Sequence, residues 1–243
     1  MRIIGIIPAR LKSSRLSEKL LRKIGDKSIL HRVYLQALKC EDLSEVIIAT
    51  DSEKIKNHAI GFGAQVIMTS SDISSGTERC HAAVSQLDED FDAVVNIQGD
   101  EPFISPKQIS EVVKMIENSD IATLAKKIDD DKEISDSNNV KVVFDENNTA
   151  LYFSRSVIPF IRNKENKELN QQANFYKHIG LYAYKTEVLN KIINLQKNHL
   201  EASESLEQLR WLSNGYKIAV GITDIEGIGI DTEEDLELAK KFI

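Results

Sequence analysis

Short β-branched runs alternate with amphipathic helical stretches through the first half of the chain. Residues 3–8 are apolar, largely β-branched and closed by Pro8, which predicts a first strand and not a signal peptide. Leu30, Val33, Tyr34, Ala37 and Leu38 then recur at helical spacing, and 46–49 reads as the next strand. A helix from Ser52, a strand over 65–68, a helix over 78–87 and a strand over 93–97 continue the same β-α-β grammar. The last of these is apolar enough to be buried on both faces, which predicts a parallel sheet. Ser105-Pro106 supplies an N-cap and a first-turn proline for a helix whose Ile109, Val112, Val113 and Ile116 form one stripe over that sheet.

Beyond Asn118 the texture changes. Residues 121–128, 140–144, 150–154 and 178–184 read as strands separated by turns, the pattern of antiparallel additions. The polar segments 129–139 and 161–174 predict exposed loops or a flap over a site. Helices follow over 186–195 and 200–212, then a strand over 216–221. Thr232 and Asp235 fit a capping box for a final helix whose inner face carries Leu236, Ala239 and Ile243. No repeat or linker interrupts the chain, so the expected organisation is one domain over 1–243. Within it, 1–120 and 216–243 form one core and 121–215 an antiparallel subregion.

With 243 residues, 42% hydrophobic and 28% charged, the chain can bury a substantial core. It has no apolar run approaching the roughly 18 to 20 residues that cross a bilayer. Cys40 and Cys80 make neither a disulfide framework nor a ligand set, which points to a reducing cytoplasm. His31, His58, His81 and His199 form no zinc site. The formal charge is −7, yet residues 1–23 carry seven basic side chains against Glu18 alone. A nucleic-acid binder is usually basic as a whole. One cationic loop in an acidic body suits a compact polyanion such as a nucleoside triphosphate, or else is a solvated basic face.

The cationic stretch leaves the C-terminal end of the first strand, the edge at which open α/β sheets bind ligands. Its four basic side chains, Arg10, Lys12, Arg15 and Lys19, with two hydroxyls, Ser14 among them, can wrap phosphate oxygens, although neither a Walker nor a dinucleotide glycine pattern is present. A second signal is Gln98-Gly99-Asp100-Glu101, where a buried strand ends in glycine and two carboxylates. Asp100 is placed to hold Mg²⁺, which takes few protein ligands at triphosphate sites. A third is Gly229-Ile230-Asp231-Thr232, where Asp231 supplies a second metal carboxylate if it lies beside Asp100. Read singly, the first of these is also an ordinary turn and Asp231 also part of a helix cap.

These stretches, with Ser74-Ser75-Gly76-Thr77-Glu78-Arg79, Ala150-Leu151-Tyr152-Phe153-Ser154-Arg155, Tyr176-Lys177-His178-Ile179-Gly180 and Glu204-Ser205-Leu206-Glu207-Gln208-Leu209-Arg210, resemble the 3-deoxy-manno-octulosonate (Kdo) cytidylyltransferase family from residue 3 to the last helix. The resemblance implies a three-layer, Rossmann-like fold of the nucleotide-diphospho-sugar transferase kind, with a mostly parallel central sheet and an antiparallel sugar-binding and dimerisation region. It implies transfer of CMP from CTP to Kdo in the cytoplasm, with release of pyrophosphate, for lipopolysaccharide biosynthesis, by a Mg²⁺-dependent homodimer. Arg10, Ser14, Arg15, Lys19, Ser75, Thr77, Arg79 and Gln98 would bind the nucleotide. Gln98, Arg155, His178, Glu207 and Gln208 would bind the sugar, with Arg155 on its carboxylate. Lys19, Asp100 and Asp231 would be catalytic, the two aspartates holding the metal. Without the family, His178 fits a structural histidine, Arg155 a surface ion pair, and Glu207 with Arg210 an i,i+3 helix pair. An 8-amino analogue or another nonulosonic acid is the alternative acceptor, and a nucleotide-binding module without turnover the alternative class. One departure stands out: family members usually carry Pro-Gly where this chain has Ser17-Glu18, exchanging a permissive glycine for a side chain with negative charge near a polyanion.

Overall fold

The computed structural model describes residues 1–11, 16–162, 168–227 and 229–243. The elements run β1 (Ile3–Ala9), a small hairpin of β2 (Lys23–Ile24) and β3 (Lys27–Ser28), α1 (Ile29–Ala37), β4 (Glu45–Thr50), α2 (Glu53–Ile60), β5 (Gln65–Met68), α3 (Gly76–Val84), β6 (Ala93–Asn96) and α4 (Pro106–Met115). They continue with β7 (Ile121–Ile128), α5 (Asp131–Ser135), β8 (Lys141–Phe144), β9 (Ala150–Ser154), β10 (Phe175–Lys185), α6 (Thr186–Ile192), α7 (His199–Glu204), α8 (Gln208–Ser213), β11 (Ile218–Ile222) and α9 (Glu233–Ala239).

The main sheet has the order β11-β7-β10-β6-β1-β4-β5, with β8 and β9 attached beside β10. Strands β6, β1, β4 and β5 pair in parallel, as do β11 and β7, whereas β10 is antiparallel to both of its neighbours. The alternation along β1 explains the layers. Ile4 and Ile6 point to the face covered by α3, α6 and α8, and Ile3, Ile7 and Ala9 to the face covered by α1, α4 and α9. Ser105 and Gln108 form a capping box at the start of α4, where Pro106 occupies the first turn.

One expectation is refined and three need correction. Residues 121–128 pair antiparallel with β10 as expected, but β7 also lies inside the main sheet, in the same sense as β6 and parallel to β11. The polar segment 129–139 contains a short helix, α5, because Asp130 accepts from Lys132 N–H at 2.9 Å and caps it. The helix expected over 200–212 is two helices broken at Ser205, whose φ of 53° and ψ of 47° are left-handed. The break follows from side-chain demands: Glu204 accepts from Ser154 Oγ at 2.6 Å and from Arg155 N–H at 2.9 Å, while Glu207 faces α3. Ile243 is exposed and not inward, since α9 ends at Ala239 and the chain tightens to a 3-10 turn over Lys240–Phe242, ending the 3.6-residue period.

Candidate active site

The parallel strands bring their C-terminal ends to one edge, and the reversal of β10 adds that strand's N-terminal half to the same edge. Gly99 follows the exit of β6 and packs against the exit of β1, so that a Cβ there would lie 3.0 Å from the Pro8 carbonyl oxygen. This glycine thus permits a close backbone approach to β1. Beside it, a cavity of about 200 Å³ is lined by residues that include Arg10, Lys19, Ser75, Arg79, Gln98 and Asp100.

Lys19 is the electrostatic centre. Its ammonium donates to Asp100 Oδ2 at 2.6 Å and to Asp231 Oδ1 at 2.9 Å. Burial works to lower the Lys19 pKa, but the two carboxylates together outweigh it and hold the group above its ordinary value. The carboxylates meet because Ile230, fully buried, donates its N–H to the Asp100 carbonyl at 3.0 Å, which aligns the two chain segments. Asp235 then accepts from the Asp231 and Thr232 N–H groups at 2.9 and 2.8 Å and sets the start of α9. Asp100 and Asp231 offer two oxygen donors of the sparse kind that Mg²⁺ takes, with the Lys19 ammonium between them, and among the described residues no group of three or more His, Cys, Asp and Glu is placed to hold a metal ion.

Arg79 borders this cavity but is only 3% exposed, and its guanidinium is engaged by Thr69 Oγ1 at 2.5 Å and the Ile73 carbonyl at 3.1 Å, with Asp51 at 3.5 Å. Ser75 and Thr77, at the start of α3, donate to the two oxygens of Glu207 at 3.2 and 2.8 Å. Burial raises the Glu207 pKa, and these hydroxyls partly oppose the rise. The suggested i,i+3 partner, Arg210, stands 4.0 Å from Glu207 and instead makes a two-pronged pair with Glu201 at 2.7 and 2.8 Å. Gln208 is buried; its Nε2, the Tyr182 hydroxyl and Asn96 Oδ1 have no hydrogen-bond partner among the described residues. Asn96 and Tyr182 are cross-strand neighbours on β6 and β10.

A second cavity, of about 330 Å³, adjoins the first across the strand exit that carries Gln98 to Glu101. Gln98 Nε2 donates to the Gly180 carbonyl at 3.2 Å and bridges the two walls. The second wall includes Glu101, Lys126, Asn138, Asn139, Lys177 and His178. His178 sits on β10 with Nε2 3.0 Å from Thr123 Oγ1 and its ring against Phe153 and Tyr182. Burial pushes its pKa down to about 3, so the imidazole is neutral at pH 7. Burial, reinforced by Asp100, pushes Glu101 up to about 7 against the opposing pull of Lys177.

Arg155 lines neither cavity. Its Nε donates to the Glu204 carbonyl at 2.8 Å and its Nη1 to the Ser137 carbonyl at 3.2 Å, so it buttresses the turn that presents Asn138 and Asn139. Ser14 and Arg15 lie outside the described residues. Sequence reasoning passed over Glu101, Lys126, Lys177, Asn138 and Asn139. Two had a signal: Glu101 follows the Gly-Asp pair and Lys177 precedes His178, in stretches singled out for other members.

A model of the cytidylyltransferase family matches residues 4–218. The 3-deoxy-manno-octulosonate cytidylyltransferase of Bacteroides thetaiotaomicron is 50% identical over 248 residues, covering 100% of this chain and 98% of that protein. The enzyme of the same name from Parabacteroides distasonis is 51% identical over 249 residues with the same coverage. Among solved structures, a CMP:2-keto-3-deoxy-manno-octonic acid synthetase complexed with CTP superposes with a TM-score of 0.92 at 34% identity, over 100% of this chain and 98% of that one.

Proposed function

The chain belongs to the 3-deoxy-manno-octulosonate cytidylyltransferase family, and from that premise we propose that it transfers CMP from CTP to Kdo, giving CMP-Kdo and pyrophosphate. The observation that carries this reading is the meeting of Asp100 and Asp231 on the Lys19 ammonium at the mouth of the first cavity. The anomeric hydroxyl oxygen forms a bond to the α-phosphorus. The bond from that phosphorus to the α,β-bridging oxygen breaks, pyrophosphate leaves with the electron pair, and the hydroxyl proton passes to solvent. Negative charge grows on the α-phosphate and the leaving group, where a fixed ammonium stabilises it at little reorganisation cost. Mg²⁺ bound by Asp100 and Asp231 would supply further charge neutralisation there.

The first cavity takes the nucleotide, with Arg10, Ser75, Arg79 and Gln98 on its walls. The second, with Gln98 bonded to its wall, takes the sugar acid. Lys126 and Lys177 on this wall are paired with Glu226 at 2.8 and 3.3 Å and would turn to the sugar carboxylate when it binds. Arg155 acts on the acceptor by holding the 136–139 turn. A homodimer is supported by the exposed Leu151 and Phe160, 61% and 84% accessible in the region after β8. Two free, buried cysteines suit a reducing cytoplasm, and the product suits lipopolysaccharide assembly.

Incubation of the protein with CTP, Mg²⁺ and Kdo should release pyrophosphate in stoichiometry with CMP-Kdo. Release only with an 8-amino analogue or a nonulosonic acid would replace the acceptor, and CTP binding without release from any of them would replace turnover by binding alone. Light scattering on the same preparation should return twice the chain mass.

A further inference from the structure

Glu18 takes a backbone conformation that glycine favours: φ is 51° and ψ 33°. A non-glycine residue in that region is strained unless its surroundings hold it there. Two contacts do so. The Glu18 carbonyl accepts from Leu21 N–H at 2.8 Å, and both carboxylate oxygens lie 2.6 Å from Lys54 Nζ. Leu16 and Leu20, both buried, peg the chain on either side. The next residue after Glu18 is Lys19, whose ammonium joins Asp100 and Asp231.

Lys54 occupies the first turn of α2, where the positive end of the helix disfavours a cation. It lines neither cavity. Among the described residues its ammonium contacts Glu18. We propose that Lys54 is a positioning residue that acts through Glu18: it fixes the left-handed turn before Lys19 and cancels a carboxylate that would otherwise repel the triphosphate. The inference rests on the reading of the first cavity as the CTP site.

The pair is solvent-accessible at both ends, so its effect is modest and salt-sensitive. Lys54→Met should weaken CTP binding, measured by calorimetry with Mg²⁺ at low ionic strength, by roughly three- to tenfold, and raise KM for CTP with kcat at saturation little changed. Glu18→Gly should stay within about twofold of the parent, because glycine tolerates the same backbone and removes the charge. The decisive protein is the double variant Glu18→Gly/Lys54→Met, which should return to within about twofold of Glu18→Gly. Lys54→Arg should keep parental affinity. If the double variant binds CTP as weakly as Lys54→Met, Lys54 touches the nucleotide directly and the inference falls. If Lys54→Met binds like the parent, it falls as well. Failure of the parent protein itself to bind CTP would instead overturn the assignment of the cavity.

Discussion

Replacing Arg210 by Met removes one half of the most thoroughly buried ion pair described. Arg210 and Glu201 are 8% and 6% exposed, and the guanidinium makes two bonds to the carboxylate and a third, at 2.8 Å, to the Leu195 carbonyl. Met fills most of the stem volume, so packing changes little and the loss is electrostatic. Deleting one partner of such a pair costs about 3–5 kcal/mol, because the remaining charge is left uncompensated in a poorly hydrated place. That is a large share of the roughly 5–15 kcal/mol that holds a domain folded. For a chain of this size about 2–4 °C is lost per kcal/mol, so thermal unfolding by circular dichroism should shift down by roughly 6–20 °C. Glu201→Gln/Arg210→Met removes both charges and should recover more than half of that loss. A single-variant shift below about 3 °C, or a double variant no better than the single, would mean that Glu201 reaches water and that the desolvation reasoning is wrong.

Lys19→Met should lower kcat for pyrophosphate release by roughly 10²–10³-fold, the usual effect of removing one preorganised donor at developing charge. A loss under tenfold would displace Lys19 from the chemistry. Glu101, raised to about 7 in the fold from 4.5, favours the protonated form, so its charge destabilises the protein increasingly from pH 4.5 through 7 and fully above. Glu101→Gln, without added metal, should therefore melt higher than the parent at pH 8 and equal to it at pH 4.5; equal melting at both would show a well-solvated carboxylate. His178, lowered to about 3, favours the neutral form, and its stabilising contribution is complete above pH 6.5 and fades as pH falls toward 3. Its imidazole resonances should still report the neutral ring at pH 4.5, and titration near 6.5 would contradict its burial.

The strands and helices of the central sheet were legible because their signals are local. The β-branched run of β1, the Ser105-Pro106 start of α4 and the capping box at Thr232 each act within a few residues. The chemistry-bearing ends of β1 and β6 were legible for the same reason: a basic loop and a Gly-Asp pair follow apolar strands. Neighbour relations were harder. Short apolar runs bounded by polar segments mark β7 and β10 as strands but carry no information on which strand lies between which. The break at Ser205 answers to Ser154, Arg155, Ser75 and Thr77, all distant in sequence. Lys54 could not be linked to Glu18 by any local pattern, since they meet only when α2 docks beside the exit of β1. Arg155 reads as a surface cation until the Glu204 and Ser137 carbonyls are seen to hold it.

The bond from Ile230 N–H to the Asp100 carbonyl joins the middle of the chain to a segment just before its last helix. A nascent polypeptide that has left the ribosome only as far as β11 already owns Lys19 and Asp100 yet has no Asp231. Assembly of this carboxylate pair therefore waits for the segment after β11, and a product truncated before Ile230 would keep the strands of its sheet while lacking one of the two side chains that hold the Lys19 ammonium.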